Sequence, residues 1–181
     1  MRVLVPLADG LEELEAVTIL DVLRRGGIEA VGAALGKSLQ VHGSRGVTLL
    51  ADAVWDELDP EAFDALALPG GGKGTEALAA DGRVTGAVRA FDAAGKFVTA
   101  ICAAPTVLAA AGVLEGRRAT CYPSCAPQLG AAFDEAPVIA DGNIITSQGP
   151  GTAMLFALVL VRHFTDEETA RRVAEGLLTQ F

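Results

Sequence analysis

Residues 2–35 follow an order that few architectures can accommodate. Arg2 to Ala8 is a run in which Val3, Leu4, Val5 and Leu7 leave almost no polar side chain, as in a strand covered on both faces. After Gly10, residues 11–25 (LEELEAVTILDVLRR) carry a helical period and stop at Gly26-Gly27. Ile28 to Leu35 is apolar again. Two buried strands joined through a helix need a right-handed crossover and pair in parallel. The order then repeats. Asp64 to Leu68 reads as a strand ending in Pro69-Gly70-Gly71-Gly72, and Thr75 to Ala94 as a helix interrupted near Asp81-Gly82. Phe97 to Ile101 reads as a strand and Ala103 to Ala111 as a helix. The prediction is an α/β fold, a mostly parallel sheet with helices on both faces.

Other stretches depart from this rhythm. Residues 39–51, with His42-Gly43-Ser44-Arg45-Gly46 inside, read as a β-hairpin excursion. Arg118 to Cys121 reads as a short strand. Val138–Ala140 and Asn143–Thr146 flank Asp141-Gly142, a hairpin turn signal. Gly149-Pro150-Gly151 opens an apolar helix to about Phe164, and Thr165-x-x-Glu168 is a capping-box pattern for a last helix. No repeat or linker interrupts residues 1–181, a length suited to one domain with its own core.

Composition removes several function classes. The net charge is −9, and no basic cluster exceeds Arg24-Arg25, Arg117-Arg118 or Arg171-Arg172, so no nucleic-acid partner is expected. Apolar runs are broken too early for a membrane span. The N-terminus lacks the apolar core of a signal peptide and reads as a strand. Three cysteines, at 102, 121 and 125, are too few and too unevenly placed for a disulfide framework. A cytoplasmic protein with reduced thiols is the expectation.

In parallel sheets ligands sit beyond the carboxyl ends of the strands. Asp9-Gly10, Pro69 to Gly72 and Cys102 all fall at such ends and are expected to converge. Cys102 lies between a strand and a helix, followed by Ala103, Ala104 and Pro105. That is the layout of a nucleophile elbow. A helix N-terminus there is expected to lower the thiol below its usual ~8.5; the plainer reading is a small buried hydrophobe. Glu15 falls on the apolar stripe of Leu11, Ile19 and Val22, whereas Glu12 and Glu13 read as first-turn acids. A desolvated carboxyl at position 15 would stay protonated near neutral pH and donate to a thiolate. Alternatively it snorkels, or pairs with Arg25 or Arg45. The Gly70–Gly72 run is an oxyanion hole shared with the Ala103 N–H, a phosphate cradle, or a plain tight turn.

Together these stretches resemble the ThiJ/PfpI superfamily, specifically its DJ-one branch. The matching residues are Gly10-x-Glu12-Glu13-x-Glu15, Leu23-Arg24-Arg25-x-Gly27-Ile28, Ser44-Arg45, Leu68-Pro69-Gly70-Gly71, Ala100-Ile101-Cys102-Ala103-x-Pro105-Thr106 and Thr146-Ser147-x-Gly149-Pro150-Gly151-Thr152, in family order along nearly the whole chain. The resemblance implies a flavodoxin-like three-layer sandwich and a homodimer. It implies an oxidation-prone nucleophile at Cys102, a protonated partner at Glu15, oxyanion donors at Gly71 and Ala103, and Arg25 and Arg45 near the site or the dimer contact. No cofactor and no metal are implied. Family activities include cofactor-independent glyoxalase, protein deglycase, redox-regulated chaperone or sensor, and, in another branch, peptidase.

Two departures narrow this. Ala103 stands where the peptidase branch has histidine, and Tyr122 stands where many DJ-one members have histidine before proline. His42 and His163 match no family base. A base must then be Glu15, a water, a partner chain's histidine or Tyr122. Cys121 and Cys125, without further ligands nearby, do not read as a zinc site. They are two local thiols, or Cys121 resolves an oxidised Cys102. The expected function is attack on small reactive carbonyls, a small aldehyde or a glycated substrate. The alternative is oxidation sensing or chaperone action through Cys102 without turnover.

Overall fold

The computed structural model describes residues 1–181. Its centre is a parallel ladder. Strand β1 (Arg2–Leu7) leads through helix α1 (Glu13–Arg25) into β2 (Glu29–Ala34), in register from Arg2 opposite Glu29 to Leu7 opposite Ala34. The chain next forms a separate antiparallel hairpin, β3 (Gln40–His42) and β4 (Thr48–Leu50), as expected for residues 39–51. It returns as the two-residue edge strand β5 (Ala53–Val54) beside β2. Then come β6 (Ala65–Leu68), α2 (Gly72–Ala80), α3 (Gly82–Ala93), β7 (Phe97–Ile101) and α4 (Pro105–Ala111). The break near Asp81 is real: its side chain accepts the Arg83 N–H and caps α3. A short α5 (Ala126–Leu129) precedes β8 (Val138–Asp141) and β9 (Ile144–Ser147), and α6 (Ala153–Phe164) and α7 (Glu167–Gly176) follow.

The seven-stranded sheet has the order β5-β2-β1-β6-β7-β9-β8, and only β8 runs antiparallel. Alternate side chains feed two cores. Val3, Val5 and Leu7 join Ile19, Val22, Leu23 and the apolar stripe of α6 on one face, with α7 behind. Leu4, Leu66 and Leu68 join Val84, Val88, Phe91, Val107 and Leu108 on the other. Each such buried side chain contributes roughly 1.5–3 kcal/mol. No helix is long and apolar enough to cross a membrane.

Two local expectations are corrected. Residues 118–121 form no strand; Ala119 makes one isolated bridge to Phe133. The reason is local: the Thr120 N–H donates to the Thr146 hydroxyl at 2.8 Å instead of a neighbouring carbonyl, so the ladder is not extended. The last helix is capped by Asp166, which accepts the Thr169 N–H at 2.7 Å, not by Thr165. The Thr165 hydroxyl donates to the Val161 carbonyl and closes the preceding helix.

Candidate active site

The three strand ends converge as their positions require. The Gly74 N–H donates to the Gly10 carbonyl at 3.1 Å and the Glu12 N–H to the Gly70 carbonyl at 2.9 Å. Gly71, at φ 95°, leaves so little room that a Cβ there would lie 2.5 Å from the Gly10 carbonyl oxygen and from the Glu12 nitrogen. Only glycine satisfies both the conformation and the contact.

Cys102 has φ 64°, a left-handed conformation shared among non-glycine residues only with Leu178. It is held from both sides: its N–H donates to the Ser147 carbonyl at 3.0 Å, and its carbonyl accepts the Tyr122 N–H at 2.7 Å. This is the elbow, at a cost of roughly 1–2 kcal/mol. The backbone N–H groups of Gly71 and Ala103 face the sulfur.

Glu15 is fully buried. Its Oε2 accepts the Gly70 N–H at 2.8 Å. Its Oε1 has no hydrogen-bond partner, and the Cys102 thiol is the polar side chain that interacts with the carboxyl. Neither Arg25 nor Arg45 reaches it. Arg25 lies ten residues along α1, about 15 Å of helix rise away, and pairs with Asp21 at 2.7 Å. It is therefore not a neighbour of this site within the chain. Arg45 Nε stands 3.9 Å from Glu12 Oε2.

Burial pushes both partners of the pair upward. Desolvation raises the Glu15 carboxyl from 4.5 to about 7, held back by the Gly70 N–H and the thiol hydrogen bond. Desolvation also pushes the Cys102 thiol up to about 12, reinforced by the Glu15 charge and hydrogen bond. This overturns the expectation of a lowered thiol. The Gly71 and Ala103 donors do favour the anion, but they are outweighed, and α4 is only seven residues long. The pair thus loses a first proton near neutrality and keeps the second, a coupled titration belonging to both residues.

The other expected residues are placed as follows. Tyr122 is half-exposed, and its ring packs on Gly149 next to Cys102. Cys121 is fully buried among the α3 and α4 side chains, whereas Cys102 belongs to the core on the opposite face of the sheet. Its thiol is pushed up to about 11 by burial, then by Cys125. A resolving role for Cys121 toward Cys102 is accordingly not supported. His42 meets the Thr48 hydroxyl, and His163 lies against Phe97, so neither meets the pair.

Glu13 is not a solvated first-turn acid. Its buried carboxylate accepts the N–H groups of Arg45 (2.8 Å) and Val47 (3.3 Å) and the Ser44 hydroxyl (3.2 Å). Burial alone would raise it, but these donors and its own N–H hold it below the usual carboxylate range. It staples the β3–β4 hairpin over α1. Between them opens a groove of about 530 Å³, lined only by polar residues and glycines, including Glu12, Arg45, Lys73 and Gly71. The signal lay in the sequence as Gly43-Ser44: a Cβ on Gly43 would strike the Glu13 carboxyl at 2.5 Å.

The family model described as the DJ-1/PfpI family matches residues 1–163. Protein dj-1beta of Drosophila melanogaster is 42% identical over 98% of this chain and 97% of its own length. A deglycase of Thermococcus kodakarensis is 35% identical over 83% and 92%. Protein DJ-1 homolog B of Arabidopsis thaliana is 41% identical over 98% of this chain, which spans only 41% of that longer protein. Among solved structures, Toxoplasma gondii DJ-1 in oxidized form superposes with a TM-score of 0.96 at 38% identity, covering 99% of both chains.

Proposed function

The chain belongs to the DJ-1/PfpI family, and from that premise we propose that it is a cofactor-independent enzyme acting on small reactive carbonyls through Cys102. The observation that carries this reading is the buried Glu15 carboxyl, with one oxygen anchored by Gly70, the other without a partner, and the Cys102 thiol as its neighbour. A desolvated acid with nothing structural to do costs stability; as a proton carrier it has a task. The deglycase name of the Thermococcus relative fits the same chemistry.

The steps follow from the residues. An aldehyde such as methylglyoxal approaches the sulfur. The S–C bond forms as the thiol proton passes to Glu15 and the carbonyl π pair moves to oxygen. The Gly71 and Ala103 N–H groups hold that oxyanion, and Glu15 returns the proton to it, giving a hemithioacetal. Glu15, again a carboxylate, takes the proton from C1 and delivers it to C2, while the hydroxyl proton on the C1 oxygen passes to the C2 oxygen. The product is a lactate thioester, which water hydrolyses to lactate and free thiol. The sum is methylglyoxal plus water to lactate, without oxidant or reductant. Early glycation adducts would be reversed through the same step, because the free carbonyl that a hemiaminal releases in equilibrium is the species that reaches the sulfur. The peptidase reading is disfavoured by Ala103. Lactate followed by NMR tests this: turnover no greater than that of Cys102→Ala removes the proposal.

A second reading has its own support. A sulfinate at Cys102 would accept the same N–H groups and a proton from Glu15, and the Toxoplasma relative was solved in oxidized form. Mild peroxide followed by peptide mass spectrometry tests it: a Cys102 no more oxidised than Cys121 and Cys125 removes this reading.

We also propose a homodimer. Leu14 and Val17 on α1 and Val47 and Leu50 on the hairpin are large apolar side chains left exposed. Light scattering on Leu14→Glu against the parent protein tests it; an unchanged mass would remove this face from the contact.

A further inference from the structure

We infer that the ring of Tyr122 is a size filter over Cys102, admitting reactants of two or three carbons and peroxide while excluding bulky ones. The inference rests on Cys102 being the reacting group.

Side-chain alternation places the ring. Cys121 is buried in the core on the α3 and α4 side. The next side chain in an extended segment points to the other face, which is the face of Cys102. The backbone fixes the spacing, because the Tyr122 N–H is bonded to the Cys102 carbonyl at 2.7 Å. Pro123 follows and restricts Tyr122 to extended conformations; it sits at φ −58°, ψ 134°. Gly149 closes the space. A Cβ built there would lie 3.2 Å from Tyr122 Cδ2, 3.7 Å from Cε2 and 4.0 Å from Cys102 Sγ. Ring edge and sulfur therefore border one small volume. The sulfur's residue is 9% exposed and the tyrosine 46%, so the ring is the outer of the two. A large substituent on an incoming carbonyl would have to displace a ring whose backbone is pinned at both ends.

This gives Tyr122 a task that does not depend on its hydroxyl, and it separates the residue from the histidine whose place it takes. The ring sets which carbonyl reaches the sulfur; Glu15 handles the protons.

The test is competitive labelling of Cys102 by iodoacetamide and by N-phenylmaleimide, read on the Cys102 peptide by mass spectrometry so that Cys125 does not contribute. Tyr122→Ala is expected to raise the maleimide-to-iodoacetamide ratio roughly tenfold, the scale set by relief of steric crowding. Tyr122→Phe is expected to keep the parent ratio, and Tyr122→Leu, which preserves bulk without the ring's reach, to fall between. A ratio unchanged in Tyr122→Ala, or a Phe variant that behaves like Ala, overturns the filter. Phenylglyoxal against glyoxal turnover should shift in the same sense. If no variant turns over any aldehyde, the carbonyl reading falls while the labelling ratio still decides the filter. If turnover is present and both ratios are flat, the filter falls and the enzyme reading stands.

Discussion

Glu15 and Cys102 meet across Gly70: a methyl group on that glycine would fall 2.8 Å from Glu15 Oε2 and 2.7 Å from Cys102 Cβ. The carboxyl reaches this position because α1 packs its Ile19 stripe into the core and carries residue 15 in with it. The consequence is a pH signature in stability. Desolvation raises the Glu15 carboxyl from 4.5 to about 7. The folded state therefore holds this proton more tightly than the unfolded chain, by ~3 kcal/mol. That contribution is fully present below about pH 4.5 and is lost as pH rises through about 7. Urea midpoints measured across this window should fall in the parent protein relative to Glu15→Gln, which carries no such proton. Parallel curves would show that the carboxyl titrates normally.

The thiol should behave oppositely to a conventionally activated cysteine. Burial and the Glu15 charge push Cys102 up to about 12, so its alkylation by iodoacetamide should keep climbing through alkaline pH. Glu15→Gln removes the charge and should speed alkylation above neutrality, roughly tenfold for each step by which the thiol falls. Methylglyoxal turnover should drop in the same variant. A parent profile that levels off before pH ~8.5 would contradict the buried-pair assignment.

Adjacent glycines should respond very differently to alanine. Gly71→Ala forces a Cβ to 2.5 Å from backbone atoms at φ 95°, whereas Gly72→Ala meets nothing within 4 Å. The first should lose at least 1–3 kcal/mol, the order of magnitude for overpacking, together with activity. The second should unfold like the parent. Equal urea midpoints for the two would mean that the Gly10 and Gly71 turns do not touch.

Glu13→Ala should loosen the hairpin without reaching the thiol pair. Its carboxylate is the acceptor for the Arg45 and Val47 N–H groups, so those amides should lose hydrogen-exchange protection. Held below the usual range, the carboxylate contributes stability above pH about 4.5, lost as pH falls through its folded value. Protection at both amides equal to that of the parent would assign the hairpin's anchorage elsewhere.

The parallel architecture was legible because buried strands and helices have different periods, and glycines mark the seams. Glu15 was legible for the same reason: a carboxylate on an apolar stripe is visible as an anomaly. What escaped detection depended on partners far along the chain. Glu13 differs from Glu12 only through donors contributed by Arg45 and Val47. The thiol's upward displacement comes from burial and a neighbouring charge, which local sequence does not record. Thr120 interrupts a would-be strand because the Thr146 hydroxyl takes its N–H. Arg25 belongs to the quoted family pattern, yet within this chain it serves an i, i+4 pair with Asp21.

The sheet itself separates the cysteines. Cys121 and Cys102 lie in cores on opposite faces. Peroxide treatment should therefore give no Cys102–Cys121 cross-linked peptide, even at extents that fully oxidise Cys102. Recovery of that peptide from folded protein would require the two thiols to share a face.

The pose of residue 102 is dictated by its main chain, through Ser147 on one side and Tyr122 on the other. Nothing in that arrangement refers to sulfur. A serine or selenocysteine would inherit the same left-handed turn, the same two donors and the same buried acid. The scaffold thus behaves as a socket: its address is written in segments distant along the chain, while its reagent is interchangeable by a single codon.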